Sequence, residues 1–394
     1  MSLTLSIWLN RYWNPYFSLI MAGVLCAIYF GLTGTVWAVT GEFTRLGGHL
    51  LHLLGIDTNS WTYFDLVKMH GSTFDRSDGW IVWGMFAGAL TMILLANNFK
   101  IRVPQQKRRL WQGLVGGIIA GFGARMAMGC NLAAFFTGVP QFSFHAWIFI
   151  VATAMGTFLG TRIINQRWWK GRPVLSRGRG SAQPSRKKNE QLQPLLGKLF
   201  ALGYLSVVIY LFYTGKTQLG FGALFGMAFG ILVERGQICF TAAFRDLWLL
   251  GKATMTKAIV IGMAISSILT LLIISNTDLT PITQLAAPST FVGGLLFGLG
   301  IVMATSCETG MMYRLMEGQI VYVMVFIGNI IGATLLAYSW DHWGVYDLLA
   351  ASGDKINLIP HFGLLTAISI TLALLALLYL YTLIQEKKHF THYA

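Results

Sequence analysis

The chain has 394 residues, of which 55% are hydrophobic and only 11% charged, and its mean hydropathy is +0.60. This composition excludes an ordinary soluble domain and is typical of a polytopic membrane protein. The net charge of +14 would suggest a nucleic-acid partner in a soluble protein. We expect no such partner here, because the basic residues follow a topological pattern instead.

The apolar windows of the chain predict its spanning segments. A hydrocarbon core of about 30 Å needs roughly 20 mostly apolar residues per helix. Ten such windows predict an all-α polytopic membrane protein, and the glycine-rich ones are either full spans or short, re-entrant segments. In chain order the windows lie near 17–38, 79–98, 111–130, 144–163, 197–215, 219–240, 256–276, 290–307, 319–338 and 361–384.

Lysine and arginine are concentrated in alternate loops. Basic residues fill 100–109 and 167–188, whereas 131–143 and 277–289 contain no Lys or Arg. Basic loops stay on the cytoplasmic side of a membrane. With ten spans, this predicts a multi-pass protein of a bacterial inner membrane with both termini in the cytoplasm.

A polar stretch near the middle divides the chain. Residues 166–194 are rich in Arg, Gly, Ser and Pro, which predicts a basic cytoplasmic linker. It separates a first membrane half, 1–165, from a second membrane half, 195–394. The first half also contains 41–78, which we interpret as an external insertion without a counterpart in the second half.

Two glycine-rich phrases relate the halves. GGIIAGFGARMAMGC (116–130) and GGLLFGLGIVMATSC (293–307) agree at seven of fifteen positions and both end in cysteine. A weaker similarity relates 22–44 to 221–243. Related windows are displaced by five, an odd number, so equivalent segments would cross the membrane in opposite directions. This predicts two inverted five-segment repeats, a pattern typical of transporters.

Three of the four cysteines occupy ends of these repeats. Cys130 and Cys307 close the two strong phrases, and Cys239 lies at the end of the weaker one. Cys26 lies in a plain apolar run and is interpreted as a small hydrophobic residue. The apolar segments after Cys130 and Cys307 are expected to fold back as short half-helices, which would bring the thiols together near the midplane.

The cysteine pattern also excludes other chemistry. The chain contains no C-x-x-C, and no Cys lies at short spacing from a His, so we expect no metal site and no cofactor. Without a nearby His base the thiols do not resemble a hydrolase nucleophile.

Each of the three thiols has a charged neighbour, and charges inside apolar windows are costly enough to indicate function. These neighbours are Arg125 before Cys130, Glu234 and Arg235 before Cys239, and Glu308 after Cys307. The arginines could instead snorkel or pair with a carboxylate. For the two glutamates, helix capping and proton transfer both remain open.

The chain resembles the YeeE/YedE family of membrane proteins at GFGARMAMGCN (121–131), RGQICFTAAFRD (235–246) and GLGIVMATSCETG (298–310). The resemblance implies a transporter, not an enzyme, for thiosulfate or a related sulfur compound, and some members are linked to selenium metabolism. It further implies that Cys130, Cys239 and Cys307 line the substrate path. A small TusA-like sulfur carrier at the cytoplasmic face is an implied partner.

Neutral thiols suit such a path. An apolar environment disfavours the thiolate, and a neutral S–H can donate a weak hydrogen bond to an anionic sulfur atom. Successive weak donors allow conduction where tight binding would stall release. We therefore predict uptake of a small sulfur-containing anion. The alternatives are a selenium-compound transporter of the same fold, a passive small-solute channel, and a membrane sulfurtransferase that forms a Cys persulfide.

Overall fold

The computed structural model describes residues 11–58, 60–67, 71–171 and 192–393. Within these ranges the regular structure is helical, and strand-like pairing is limited to three isolated bridges. Thirteen helices of nine or more residues organise the described chain. They are α1 Pro15–Thr33, α2 Thr40–Leu53, α3 Ser77–Leu95, α4 Arg108–Met126, α5 Phe144–Ile164, α6 Leu192–Tyr213, α7 Thr217–Arg235, α8 Phe240–Leu250, α9 Thr254–Asn276, α10 Pro288–Met303, α11 Glu308–Met316, α12 Ile320–His342 and α13 Leu364–Tyr393.

Every predicted apolar window coincides with one long helix. By length and composition, nine segments of the described chain could cross a membrane. Helix α4 is not among them, because arginines lie near both of its ends and glycines replace larger apolar residues in its middle. The prediction of an all-α polytopic membrane protein is confirmed.

The glycines of the repeated phrases allow close helix packing. Helix α4 crosses α10, and a Cβ added at Gly116 would overlap the backbone of Ala304. From the other side, a Cβ at Gly300 would overlap the backbone of Ala120. Small residues let backbones approach in this way. The strong phrases therefore form the central crossing between the two parts of the chain.

Contacts between the two parts of the chain come in matched pairs. Helix α3 packs on α7 as α1 packs on α9, and α4 packs on α12 as α5 packs on α10. The short helices do the same, since α2 contacts α12 and α8 contacts α5. Each contact has a counterpart in which the two parts are exchanged. Helices α6 and α13 follow the same scheme, since α6 packs on α3 as α13 packs on α9.

The predicted insertion, 41–78, contains most of helix α2 and the residues between α2 and α3. Helix α2 follows α1 in chain order as α8 follows α7, so the residues without a counterpart lie between α2 and α3. A buried ion-pair network holds this segment. Glu42 accepts hydrogen bonds from Arg45 at 2.7 Å and from Arg76 at 3.1 Å, and Arg45 also donates to Asp78 at 2.9 Å.

The electrostatics of this network favour the charged state of its central cation. Burial acts to lower the pKa of Arg45, but the neighbouring carboxylates Asp78 and Glu42 outweigh it and hold that pKa above its usual value.

The predicted linker lies mainly outside the described residues. Of 166–194, the structure describes 166–171, with a short helix at Arg167–Lys170, and the start of α6. The assignment of 1–165 and 195–394 as two halves therefore stays a prediction.

Candidate functional site

Helices α4, α7 and α10 end in the same turn. Each helix is followed, four positions after its last residue, by a cysteine: Cys130, Cys239 and Cys307. Two residues before each cysteine the backbone has positive φ, at Met128 (58°), Gln237 (49°) and Thr305 (63°). This conformation is uncommon for residues with a Cβ. The expected short helices after Cys130 and Cys307 are present, at Leu132–Gly138 and α11, and α8 follows Cys239 in the same way.

The three sulfur atoms face the start of the helix that follows. Cys239 and Cys307 occupy the N-cap positions of α8 and α11. Backbone N–H groups three residues further on, at Ala133, Ala242 and Gly310, lie near the three sulfurs, and neither N-cap cysteine makes a side-chain cap hydrogen bond. Unsatisfied N–H groups at a helix start are suited to an acceptor atom. Each sulfur can accept there, and the S–H groups of Cys130 and Cys239 remain available as donors.

Two of the three thiols are in direct contact. Cys307 Sγ lies 4.0 Å from Cys239 Sγ, and both side chains are about as buried as that of Cys130, each 1% exposed. Gly310 closes the site from α11, because a Cβ there would lie 2.9 Å from Cys239 Sγ. The Cys130 sulfur lies beyond hydrogen-bond distance of the other two. Cys26 is buried within α1, away from these turns.

Glu308 lies near the three thiols. It is the first residue of α11 and is 1% exposed. Its carboxyl group interacts electrostatically with Cys130, Cys239 and Cys307. Its Oε1 atom has no hydrogen-bond partner within the described chain, and it forms no ion pair there.

Other buried polar atoms beside the thiols are also unsatisfied within the described residues. They are both amide atoms of Asn131, next to Cys130, and the hydroxyl of Thr241, two residues after Cys239. Buried polar groups normally have a hydrogen-bond partner, and leaving such a group without one costs about 1–3 kcal/mol. The site is therefore suited to a polar ligand or to water.

Glu234 and Arg235 form a separate, closed arrangement. The two side chains are fully buried and pair with each other. The Arg235 guanidinium lies over the Tyr12 ring, with Cζ 5.4 Å from its centroid, and the Arg235 carbonyl accepts from the Trp13 N–H at 2.8 Å. Of the two alternatives for Arg235, pairing with a carboxylate is the one observed. These residues anchor the start of the described chain.

Arg125 lies at the wall of a large cavity. It donates to Thr40 Oγ1 at 3.4 Å, and its Cζ lies 5.3 Å from the Tyr63 ring centroid. Within the described residues it forms no ion pair, so pairing with a carboxylate is not observed. In the weaker similarity between 22–44 and 221–243, Thr40 is the residue aligned with Cys239. The position that corresponds to a cysteine in the other three motifs therefore contacts Arg125.

The cavity has a volume of about 990 Å³, and we call it the vestibule. Thr40, Arg125, Met128, Gly129 and Trp340 belong to its wall. Cys130 is not part of the wall, but it directly follows Gly129 in the sequence. The vestibule thus reaches the first of the three cysteine turns.

Sequence reasoning missed Asn131, Thr241 and Arg314. Arg314 is a largely buried cation on α11, seven residues after Cys307. It lies outside every apolar window, on a stretch whose other charged residues resemble a solvated surface. The equal four-residue spacing from helix end to cysteine becomes visible only once the helix ends are known.

The chain consists of apolar helices and buries unsatisfied polar groups at three helix breaks next to a vestibule. This is the architecture of a membrane transporter. Comparison with known proteins agrees. The chain belongs to the Sulphur transport family, whose model matches residues 2–159 and 235–393. The resemblance to YeeE/YedE proteins is confirmed.

The curated relatives are transporters. The chain is 46% identical over 385 residues to the "Probable transporter YedE" of Escherichia coli K12, which covers 97% of this chain and 95% of that protein. The protein of the same name from Salmonella typhimurium LT2 matches equally well. The "Thiosulfate transporter TsuA" of Spirochaeta thermophila is 38% identical over 99 residues, 25% of this chain and 30% of that protein. The prediction of a transporter rather than an enzyme is confirmed.

Proposed function

We propose that the protein takes up a small sulfur-containing anion, thiosulfate or a related compound, past Cys130, Cys239 and Cys307. One observation carries the proposal. Three buried thiols lie beside unsatisfied polar atoms, and each thiol follows a copy of the same backbone turn. The partial match to a thiosulfate transporter supports the choice of substrate.

The proposed path begins at the vestibule. An anion entering it meets the Arg125 guanidinium, which no carboxylate in the described chain neutralises. It then passes the Cys130 turn and reaches the contacting thiols of Cys239 and Cys307. The Glu308 carboxyl group, which interacts with all three sulfurs, lies along this path. Each S–H donates weakly to the anionic sulfur, so no step binds the substrate tightly.

The two membrane halves are proposed to be inverted repeats around this path. The exchange-related helix contacts and the shared turn of α4 and α10 support this arrangement. Copies of opposite orientation offer matched openings to the two sides of the membrane. The proposal includes a bacterial inner membrane location, cytoplasmic termini, and a TusA-like carrier that removes sulfur on the cytoplasmic side.

Uptake of an anion needs a source of energy. Against an inside-negative potential, a dianion costs about 4.6 kcal/mol per 100 mV, twice the cost of one charge. We assign proton coupling to Glu308 rather than Glu234, because Glu234 is already paired with Arg235. A buried carboxylate without a cation would repel the substrate, so a proton and the anion favour each other's entry.

The test is uptake of ³⁵S-thiosulfate into membrane vesicles with and without an inward proton gradient. Unlabelled thiosulfate, selenite and sulfate serve as competitors, and a parallel sample is treated with a thiol-alkylating reagent. We expect saturable uptake that the gradient stimulates and thiosulfate inhibits best. Preferential inhibition by selenite would instead favour the selenium-compound transporter. Uptake insensitive to thiol alkylation would favour a passive channel, and a sulfur adduct on a cysteine would favour the sulfurtransferase.

A further inference from the structure

Arg314 is held by aromatic rings rather than by an acid. Its Cζ lies 5.6 Å from the centroid of the Tyr313 ring and 5.4 Å from that of Tyr322. Its Nη1 donates to the Tyr322 hydroxyl at 2.8 Å and to the Thr305 carbonyl at 3.2 Å. Thr305 is the positive-φ residue of the Cys307 turn. The cation is therefore fixed directly against one of the three cysteine turns.

The other edge of this guanidinium is available. Nε and Nη2 donate no hydrogen bond within the described chain, yet neither is a sealed, buried atom. The carboxylate nearest in sequence, Glu317, is engaged by Arg102 at 3.2 Å and by Gln319 at 2.7 Å. A planar N–H fork with one edge fixed and the other free matches the geometry of an oxyanion.

The surroundings of Arg314 are suited to an anion rather than to a structural ion pair. Arg314 interacts electrostatically with Cys239, one of the two thiols in contact. The Tyr313 hydroxyl beside it is fully buried and has no hydrogen-bond partner among the described residues. A largely buried cation is costly unless a counter-charge compensates it.

Arg314 and the vestibule lie at opposite ends of one helix. Tyr322, which holds Arg314, is near the start of α12, whereas Trp340 of the vestibule wall is near its end. Eighteen helical residues span about 27 Å. At the vestibule end, Arg125 contacts Tyr63, whose ring packs against Trp340 at 5.1 Å between centroids. Two cations without an acidic partner thus stand at the two ends of α12.

We propose that Arg314 is an anion-binding residue at the end of the path opposite the vestibule. It binds the oxyanion portion of the substrate through Nε and Nη2 when the anion has passed the Cys239 and Cys307 thiols. Arg125 does the same at the vestibule. The identity of the anion rests on the proposed function, whereas the presence of an anion site at Arg314 does not.

The experiment measures ³⁵S-thiosulfate exchange from each face, in vesicles of both orientations that contain the full-length protein. We expect Arg314→Gln to raise the half-saturating concentration by roughly tenfold or more at the face opposite the vestibule, as expected for loss of a charge-assisted bidentate contact. Arg125→Gln should do so at the vestibule face, and Arg314→Lys, which keeps the charge but loses the fork, should give a smaller rise.

The matched control is Arg245→Gln. Arg245 lies on α8, six residues after Cys239, and is partly exposed and paired with Asp246. Its replacement should leave both half-saturating concentrations unchanged. If Arg314→Gln lowers only the maximal rate, or changes both faces equally, Arg314 is a structural residue and the proposal is wrong.

A second measurement separates this proposal from the transport of thiosulfate. If the wild-type protein exchanges no thiosulfate, the proposed function fails, and Arg314 is then tested with the detergent-solubilised full-length protein. Thiosulfate and sulfate should raise the melting temperature of the Arg125→Gln variant. The rise should be lost when Arg314→Gln is added. Equal rises in the two variants, or none in either, would overturn the assignment.

Discussion

The cysteine side chains combine two roles at the residue scale. Each sulfur lies at the start of the following helix, where it can accept from backbone N–H groups, and the S–H of Cys307 also donates to Cys239 Sγ at 4.0 Å. Serine is a favourable residue at a helix start, so replacing cysteine by serine is compatible with this position. What changes is the atom that meets the substrate, because a hydroxyl is harder and smaller than a thiol. The substitution therefore isolates the chemistry of the sulfur.

We predict that Cys130→Ser, Cys239→Ser and Cys307→Ser each reduce ³⁵S-thiosulfate uptake at least tenfold while the protein remains folded, a loss of about 1.4 kcal/mol or more in transition-state stabilisation. Cys26→Ser, in the core of α1, is the control and should retain uptake. Gel filtration reports on folding. Equal uptake by all four variants would contradict the role of the three thiols.

The two buried glutamates should respond differently to neutralisation. Glu308 forms no ion pair in the described chain, and its carboxyl group interacts with all three thiols. We predict that Glu308→Gln abolishes the stimulation of uptake by a proton gradient but preserves exchange of thiosulfate at equal pH on both sides. Vesicle assays with imposed gradients measure both. A variant still driven by the gradient would rule out Glu308 as the proton carrier.

Glu234→Gln should instead act on stability. Glu234 is the fully buried partner of Arg235, and removing one member of a buried ion pair costs roughly 3–5 kcal/mol. We expect a marked fall in the melting temperature of the solubilised protein. Glu386→Gln is the control, because Glu386 pairs with Lys257 at a partly exposed position, where such pairs contribute little. Similar melting temperatures for the two variants would refute this distinction.

At the scale of the element, the crossing of α4 and α10 depends on the absence of side-chain atoms. A Cβ at Gly116 would overlap the Ala304 backbone, which cannot move away as a flexible side chain could. We predict that Gly116→Ala separates the two helices and lowers both stability and uptake. Gly203→Ala, on α6, is the control because no heavy atom lies within 4 Å of its added Cβ. Measuring the melting temperatures of both variants checks the prediction, which fails if they are alike.

Long helices were predictable from the sequence because about 20 consecutive apolar residues leave few alternatives in a bilayer. The third cysteine turn was not recognised as equivalent to the other two. In α7 Glu234 stands where the two phrases have Arg125 and Val302. Arg235 replaces a methionine of both phrases, although the backbone turn is the same. Positive φ at Met128, Gln237 and Thr305 has no sequence signal, since none of them is glycine or asparagine.

The short helices were only partly foreseen. Those after Cys130 and Cys307 followed from the apolar character of their segments. Helix α2 falls largely within the predicted insertion, and α8 lies between two apolar windows, where no element was predicted. Arg314 was not predicted as a site residue for a related reason. Its stretch carries other charged residues, and only the packing of Tyr313 and Tyr322 distinguishes it from a solvated helix face.

At the scale of the whole molecule, the charge pattern of the loops predicts the orientation. An alkaline phosphatase reporter, which is active only outside the cytoplasm, should be inactive when fused to the C-terminus and active when inserted within 277–289. The basic segment 100–109 provides an internal control and should give an inactive fusion. Activity at the C-terminus would reverse the proposed topology. Enzyme assays on intact cells measure each fusion.

Helix α6 has a consequence for the orientation of the two copies. The exchange-related contacts involve α1, α3, α4, α5 and α6 in one copy and α7, α9, α10, α12 and α13 in the other, five long helices each. Tandem repetition of a unit with an even number of crossings would leave both copies facing the same way. With α6 as a fifth crossing, the second copy begins on the opposite side of the membrane from the first. In the proposed architecture, α6 is therefore the helix that gives the two copies opposite orientations.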